Sequence, residues 1–237
     1  RYLKEKGFSL EAIQVVRNQK TGYCLTIVEN SGERTFLTEK GCESGFRTEL
    51  VSKDWIEKIS SLYLTGYYLL DPPYDVEIVQ FIQRLKERSI TILFDPGPLV
   101  DQINPRILRS MVQLADIITP NQEELEKIKR LLGIQSSVYK WLLNNGVKWV
   151  IEKKGSQGID VWISQGEKRS FPAYPVRSVD TSGAGDSFAG GLLFGLNQYG
   201  DFEKAIDIAR ACGALTTTFL SPHGSFTFQD ILKVIGE

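Results

Sequence analysis

Short apolar runs alternate with amphipathic stretches from residue 50 onward. Unbroken β-branched runs are typical of buried strands, and apolar residues three and four positions apart are typical of helices. Val76, Val79, Ile82 and Leu85 are expected to form the buried face of the first predicted helix. Alternating strands and helices predict βαβ units and a mainly parallel sheet covered by helices on both faces. The predicted strands are 62–65, 90–94, 117–119 and 149–152, and the predicted helices are 75–88, 105–115, 122–132 and 137–145.

Residues 11–40 have a different pattern. Two β-rich runs, 22–29 and 33–38, flank the turn sequence Asn-Ser-Gly at 30–32, which predicts a β-hairpin. A lone hairpin is marginally stable in water, so it must pair with other strands or cover another part of the molecule. Three roles stay open: a lid over an active site, part of a dimer contact, or an edge hairpin of the main sheet. A second hairpin is predicted at 158–171.

Two predicted helices near the end of the chain are rich in small residues. Glycine inside a helix costs about 1 kcal/mol relative to alanine, so these residues indicate that something approaches the helix backbone closely. Either tight helix packing or a flat ligand would explain them. The residues are Ala189, Gly190, Gly191 and Gly195 in the helix at 187–196, and Ala205, Ala209, Cys212, Gly213 and Thr216 in the helix at 203–219.

Length and composition narrow the class of protein. A chain of 237 residues can bury one good core, so a single domain is expected, with the core at 50–237 and the hairpin region at 11–40. The 28 basic and 29 acidic residues nearly cancel, and no basic stripe supports nucleic-acid binding. Three cysteines fit neither a disulfide framework nor a zinc site, which favours reduced thiols in the cytoplasm. No apolar stretch is long enough to predict a membrane span.

The beginning of the chain suggests that more sequence precedes it. Arg1 is not a translation start, because the only methionine is Met111. Residues 1–7 resemble the last turns of a helix that is closed by Gly7. We therefore expect that part of the protein lies before Arg1.

The strongest chemical signal is the segment 180–186, Asp-Thr-Ser-Gly-Ala-Gly-Asp, followed directly by a helical run. Its two glycines free the backbone to turn, so that consecutive N–H groups point in one direction. The positive end of the following helix adds to the same spot, which predicts a phosphate site. The carboxylate of Asp186 would repel a phosphate at this site. Its presence is explained if Asp186 handles a proton or a hydroxyl group beside the phosphate. The alternative is an ordinary loop with a capping aspartate.

Three other segments fit a nucleotide site, although each has a simpler explanation. Asn121 and Glu124, three residues apart at a helix start, would organise a hydrated magnesium ion, or form a capping box. The segment 153–158 follows a strand and would bind phosphate oxygens, or form a simple turn. The segment 221–225 would offer carbonyls to a monovalent cation, or only change the chain direction. Asp95, Asn121 and Lys153 fall at carboxyl ends of predicted strands, where ligands bind in such sheets.

Taken together, the segments 180–186, 121–124, 155–156 and 211–215 resemble those of the ribokinase (PfkB-type) carbohydrate kinase family. The similarity extends over nearly the whole chain, in the expected order. It implies a three-layer αβα domain with a small β lid, to which the hairpin at 22–38 would belong. It also implies ATP as phosphoryl donor, Mg²⁺ as cofactor, a potassium site and a sugar or sugar-like acceptor.

The resemblance also implies roles for individual residues. Arg210 stands where many members have an asparagine near the adenine, and a glycine-rich sugar-binding motif near the start of family members is absent from these residues. Carried over by motif, the catalytic base would be Asp186, and the anion hole would be Gly183, Ala184 and Gly185. Magnesium and the phosphates would be ordered by Asn121 and Glu124, and the nucleotide would be contacted by Lys153, Gly155, Ser156 and Gly213. The potassium site would be formed by Asp180, Ser182 and Gly224.

Two other functions are compatible with this type of sheet. A non-catalytic sugar or nucleotide sensor would keep the fold, although the aspartate beside the anion turn argues against it. A dinucleotide-dependent oxidoreductase would need Gly-x-Gly-x-x-Gly after an early strand, and no such motif is present. The acceptor stays open between a sugar, a sugar acid, a sugar phosphate and a nucleoside, and so does a homodimer through the lid.

Overall fold

The computed structural model describes residues 2–11, 13–28, 34–163 and 166–237. Its main sheet has six strands in the order β3-β4-β5-β6-β7-β8, and β1 and β2 form a separate hairpin. Strands β3 to β6 are parallel, and β7 and β8 are antiparallel to their neighbours. The strands are β1 Tyr23–Val28, β2 Arg34–Glu39, β3 Ser61–Thr65, β4 Thr91–Asp95, β5 Ile117–Ile118, β6 Trp149–Lys153, β7 Ile159–Ile163 and β8 Lys168–Phe171.

Helices cover both faces of this sheet. In β4, Ile92 and Phe94 face a core shared with α3 to α6, whereas Leu93 faces a second core shared with α7 and α8. The alternation follows from the two-residue period of a strand, and it confirms the predicted three-layer αβα fold. The helices are α1 Tyr2–Glu5, α2 Lys53–Ile56, α3 Tyr74–Lys86, α4 Pro105–Leu114, α5 Gln122–Leu131, α6 Val138–Asn144, α7 Ala184–Tyr199, α8 Phe202–Thr216 and α9 Phe228–Ile235.

The helices and strands predicted from the sequence agree with these bounds to within a few residues. The buried face predicted for α3 is wrong at one position, Val76. Val76 is 45% exposed, because the buried face of α3 runs through Ile78, Phe81, Ile82 and Leu85. Val76 lies in the first turn of α3. Helices α2 and α9 were not predicted. None of the helices in the described part of the chain is long and apolar enough to cross a membrane.

The hairpin β1–β2 is tied to the core at its base. Lys40 Nζ lies 2.6 Å from Asp71 Oδ1. The Glu43 carboxylate accepts the N–H groups of Gly22 and Gly41 at 2.9 and 2.8 Å, and so joins the two ends of the hairpin. Within the described residues the hairpin does not pair with the main sheet, so it is not an edge hairpin. The turn predicted at 30–32 lies outside those residues.

Helices α7 and α8 pack with their backbones close together, which explains most of the small residues. A Cβ at Gly195 would lie 2.5 Å from Ala205 Cα and 2.9 Å from Ala205 Cβ. A Cβ at Gly191 would lie 2.9 Å from the Cys212 sulfur. Glycine is therefore required at both positions, and the close packing fixes the direction of α7.

The packing predicts opposite effects for two neighbouring substitutions in α7. Gly195→Ala should lower the free energy of unfolding by about 1–3 kcal/mol, because overpacking outweighs the gain in helix propensity. Gly190→Ala should raise it by about 0.4–1 kcal/mol, because the new methyl group would meet nothing within 4 Å. Urea denaturation of both variants measures the difference. A Gly195→Ala variant as stable as Gly190→Ala would contradict the packing described here.

Candidate active site

The carboxyl ends of β4 and β6 bring together residues that are far apart in the chain. Lys153 Nζ lies 2.6 Å from Asp95 Oδ2, and the Thr119 hydroxyl donates to the same oxygen at 3.3 Å. Asn121 forms a bridge to the backbone of Lys153. Asp95, Asn121 and Lys153, which were predicted to fall at the carboxyl ends of strands, therefore lie close together in the structure.

A turn of free amides lies at the same edge, at the start of α7. Gly183 has φ +74°, and a Cβ there would clash with the carbonyl oxygen of Pro222, so only glycine fits. The Asp180 carboxylate accepts the Ser182 N–H at 2.9 Å and shapes the approach to the turn. In the part of the chain that the structure describes, the N–H groups of Gly185 and Asp186 have no acceptor in the protein. N–H groups at the positive end of a helix suit an anion, so this turn is the candidate anion site.

The carboxylate of Asp186 lies beside this turn and is exposed. Its Oδ1 accepts a hydrogen bond from the Tyr63 hydroxyl at 2.9 Å, and Oδ2 has no hydrogen-bond partner in the described part of the chain. Burial, with the nearby carboxylates of Asp95 and Asp186, raises the pKa of Tyr63 well above its ordinary value. Tyr63 therefore stays protonated and acts as a donor that orients Asp186.

The two lysines at the end of β6 have different partners. A Cβ at Gly185 would lie 3.4 Å from Lys153 Nζ, so the Lys153 ammonium is beside the anion turn. Lys154 instead pairs with Asp160 at 3.0 Å. Only the first of the two lysines is thus positioned to share an anion with the turn.

Asn121 and Glu124 form the capping box that their spacing allows. The Glu124 N–H donates to Asn121 Oδ1 at 2.8 Å, and the Asn121 N–H donates to Glu124 Oε2 at 2.9 Å. The Asn121 side-chain amide also donates to Glu124 Oε1 at 3.1 Å. Burial raises the pKa of Glu124 above its ordinary value, against the opposing effect of the Lys153 ammonium. Both side chains are therefore structural, and any action on a magnesium ion would be an additional one.

A cleft of about 590 Å³ opens beside the anion turn. Most of the predicted nucleotide contacts line it, together with an apolar wall. Gly213 contributes through its lack of a side chain, since a Cβ there would lie 3.3 Å from the Ala184 carbonyl oxygen. The lining includes Lys153, Gly155, Ser156, Ala184, Gly185 and Gly213 among the predicted residues, and Ile159, Ala173, Val176, Phe188 and Ala214 in the apolar wall.

Arg210 lines the cleft beside the loop after β8. Its guanidinium lies 4.3 Å from the centre of the Tyr174 ring and donates from Nε to the Pro172 carbonyl at 2.9 Å. Asp207 is its ionic partner. These contacts hold Arg210 as a rigid wall of the cleft.

The potassium site has partial geometric support. Asp180 and Ser182 belong to one turn, and the segment 221–225 packs against that turn through the contact of Pro222 with Gly183. A Cβ at Gly224 would meet the rings of Phe219 and Phe226 at 2.8 Å. No cluster of three acidic, histidine or cysteine residues that could hold a metal occurs among the residues described. The potassium site stays a prediction.

His223 contacts Ser221 and Tyr2, not the anion turn.

Two residues at the site carry no signal in the sequence. Tyr63 lies in an apolar strand, and only the topology brings it to Asp186. Tyr174 lies in a loop, and its contact with Arg210 depends on the packing of that loop on α8. Asp95 could be located by its place at a strand end, but its ion pair with Lys153 depends on β5 lying between β4 and β6.

The chain belongs to the pfkB family of carbohydrate kinases, whose model matches residues 1–224. It is 28% identical to the uncharacterized sugar kinase YegV of Escherichia coli, over 74% of this chain and 54% of that protein. It is 26% identical to the probable fructokinase-5 of Arabidopsis thaliana, over 91% of this chain and 71% of the relative.

A solved structure gives the same assignment. The structure of a putative ribokinase II from E. coli in complex with ATP and Mg²⁺ superimposes with a TM-score of 0.75 at 25% identity, over 90% of this chain and 70% of that one. The chain thus spans between 54% and 71% of the length of these proteins.

Proposed function

We propose that this protein transfers the γ-phosphoryl group of ATP to a hydroxyl group of a sugar or sugar-like molecule. The observation that carries the proposal is the exposed carboxylate of Asp186, held at Oδ1 by Tyr63, beside the N–H groups of Gly185 and Asp186, for which the described residues offer no acceptor. A carboxylate and an anion site side by side suit a reaction in which a hydroxyl attacks a phosphoryl group.

The cleft suits ATP in one orientation. The adenine base would lie against the part of the cleft lined by Arg210 and Tyr174, and the phosphates would lie at Gly185 and Lys153, where they would find N–H groups and an ammonium. The E. coli structure with bound ATP and Mg²⁺ supports this choice of donor. Gly155 and Ser156 would contact the nucleotide from the turn after β6.

The mechanism that we propose follows from the positions of the turn amides, Lys153 and Asp186 around the transferred phosphoryl group. The transferred group carries its charge on three equatorial oxygens in a loose transition state, so the amides of the turn and Lys153 would stabilise it. The hydroxyl that attacks loses its proton late, so a carboxylate such as Asp186 suffices as the base. Tyr63 holds Oδ1 of this carboxylate and leaves Oδ2 to receive the proton.

Magnesium fits near α5 only through water. The oxygens of Asn121 and Glu124 are already engaged in the capping box, and Glu124 is 5% exposed. When bound, Mg²⁺ would neutralise charge on the phosphates. Asn121 and Glu124 would orient its water ligands from a fixed position at the helix start.

The hairpin β1–β2 would serve as a lid over the acceptor. Burial raises the pKa of Tyr67, and so do the nearby Asp186 and Cys24; the proximity of the base and a hairpin residue to one tyrosine supports this role. The other face of the hairpin exposes Tyr23, Leu25 and Leu37, each more than half exposed, which is the surface that a homodimer through the lid would bury.

A panel of acceptors tests the proposal. Sugars, sugar acids, sugar phosphates and nucleosides are each mixed with the protein, ATP and Mg²⁺, and ADP release is coupled to a detectable reaction. Mass spectrometry should find one acceptor that has gained a phosphoryl group. Binding of nucleotide and sugar without any product would favour the sensor. The family match speaks against an oxidoreductase, and an unchanged NAD(P)H fluorescence on mixing would close that option.

Replacement of the base should separate chemistry from binding. Asp186→Asn should lower kcat by about 10² to 10⁴, because the hydroxyl loses its proton acceptor, and should leave nucleotide affinity within a few-fold. Asp54→Asn, which removes an exposed carboxylate from α2, is the control and should leave kcat unchanged. Normal turnover in the Asp186→Asn variant would remove Asp186 from the reaction.

A side chain in the anion turn should block the phosphate. Gly185→Val should lower kcat about 10²-fold, because the valine methyl groups occupy the space in front of the turn. Gly190→Val is the matched control, since it places the same side chain in the same helix with nothing within 4 Å of its Cβ. Steady-state kinetics and melting temperatures are compared. If Gly185→Val is fully active, the phosphate does not lie at this turn.

The two roles of Asn121 can be separated in the same way. Asn121→Ala and Thr227→Ala each remove the capping residue of a capping box, in α5 and α9, and each should lower the free energy of unfolding by about 1 kcal/mol. Only Asn121→Ala should also weaken the affinity for Mg²⁺-ATP, by about tenfold. Calorimetric titration measures the affinity. Equal affinities in the two variants would leave Asn121 with its structural role alone.

A further inference from the structure

The ion pair between Asp95 and Lys153 is more constrained than a surface pair. Asp95 is 7% exposed, and both of its oxygens are engaged. Oδ1 accepts the Gly97 N–H at 3.2 Å, and Oδ2 accepts Lys153 Nζ at 2.6 Å and the Thr119 hydroxyl at 3.3 Å. A buried ion pair contributes little net stability, because desolvation offsets the attraction. A contribution to the stability of the fold therefore does not by itself explain why Asp95 and Lys153 form this pair.

The location of the ammonium group supplies a better reason. Lys153 Nζ lies beside Gly185, at the positive end of α7, where the helix dipole opposes a second positive charge. A lysine side chain is flexible and would turn away from such a position if nothing held it. Asp95 is the group that holds it, from the opposite side of the ammonium.

We propose that Asp95 is a positioning residue that keeps Lys153 Nζ against the anion turn, ready for the charge of the transferred phosphoryl group. The proposal rests on the proposed kinase function. Asp95 itself does not act as a base, because both of its oxygens are occupied, whereas Asp186 Oδ2 has no hydrogen-bond partner among the described residues. It acts through Lys153, so its contribution should vanish when that lysine is absent.

A double-mutant cycle tests this dependence. The variants Asp95→Asn, Lys153→Met and the double variant are assayed with the acceptor found by the panel. Asp95→Asn should lower kcat about tenfold without raising the KM for ATP, since it removes a competing negative charge but releases the lysine. Lys153→Met should lower kcat about a hundredfold, and the double variant should lie within about twofold of Lys153→Met.

A second buried pair provides the matched control. Asp116 is 4% exposed and lies 2.6 Å from Lys86, at the opposite edge of the sheet from the anion turn. Asp116→Asn should lower the melting temperature but leave kcat unchanged. If Lys153→Met does not fold because it strands the Asp95 charge, Lys153→Gln replaces it in the cycle, since glutamine can still donate to Asp95.

The outcomes separate the two proposals. Independent effects, with a double variant about a thousandfold slower than the wild type, would overturn the positioning role while the kinase function stands. An Asp95→Asn variant that loses ATP affinity and turnover together would also overturn the positioning role. An Asp95→Asn variant that turns over normally would overturn it as well. A wild-type protein that phosphorylates no acceptor would overturn the proposed function and this inference with it.

Discussion

The proposed chemistry depends on two backbone N–H groups that find no acceptor among the described residues. Those of Gly185 and Asp186 open α7, and an unpaired amide costs free energy unless water or a ligand satisfies it. The chain holds them in place from several sides. The carbonyl of Thr217 accepts the Val179 N–H at 2.7 Å, Pro222 packs on Gly183, and the Thr216 hydroxyl contacts Ser187 at 2.7 Å.

The close packing of α7 on α8 also holds these N–H groups in place. Because Gly191 and Gly195 allow the two helix backbones to approach, the head of α7 is fixed relative to the sheet. The strand ends that carry Asp95 and Lys153 are fixed by the parallel ladder of β4, β5 and β6. The site is thus assembled from rigid elements, which suits the placement of groups around a phosphoryl group.

Much of this arrangement could be predicted from the sequence. The order of strands and helices followed from periodicity, and the anion turn followed from Gly183, Gly185 and Asp186 before a helix. The small residues allowed two explanations: packing accounts for Gly191 and Gly195, and Gly213 lines the cleft in which we propose that the nucleotide binds. Tyr63 could not have been assigned, because a tyrosine in a strand gives no sign of the helix end that it faces.

The direction of the nucleotide is the most direct test of this account. A crystal structure with a non-hydrolysable ATP analogue and Mg²⁺ should show the base near Arg210 and Tyr174, and the terminal phosphate within hydrogen-bond distance of the Gly185 and Asp186 N–H groups. An analogue whose phosphates point away from residues 183–186 would contradict the account.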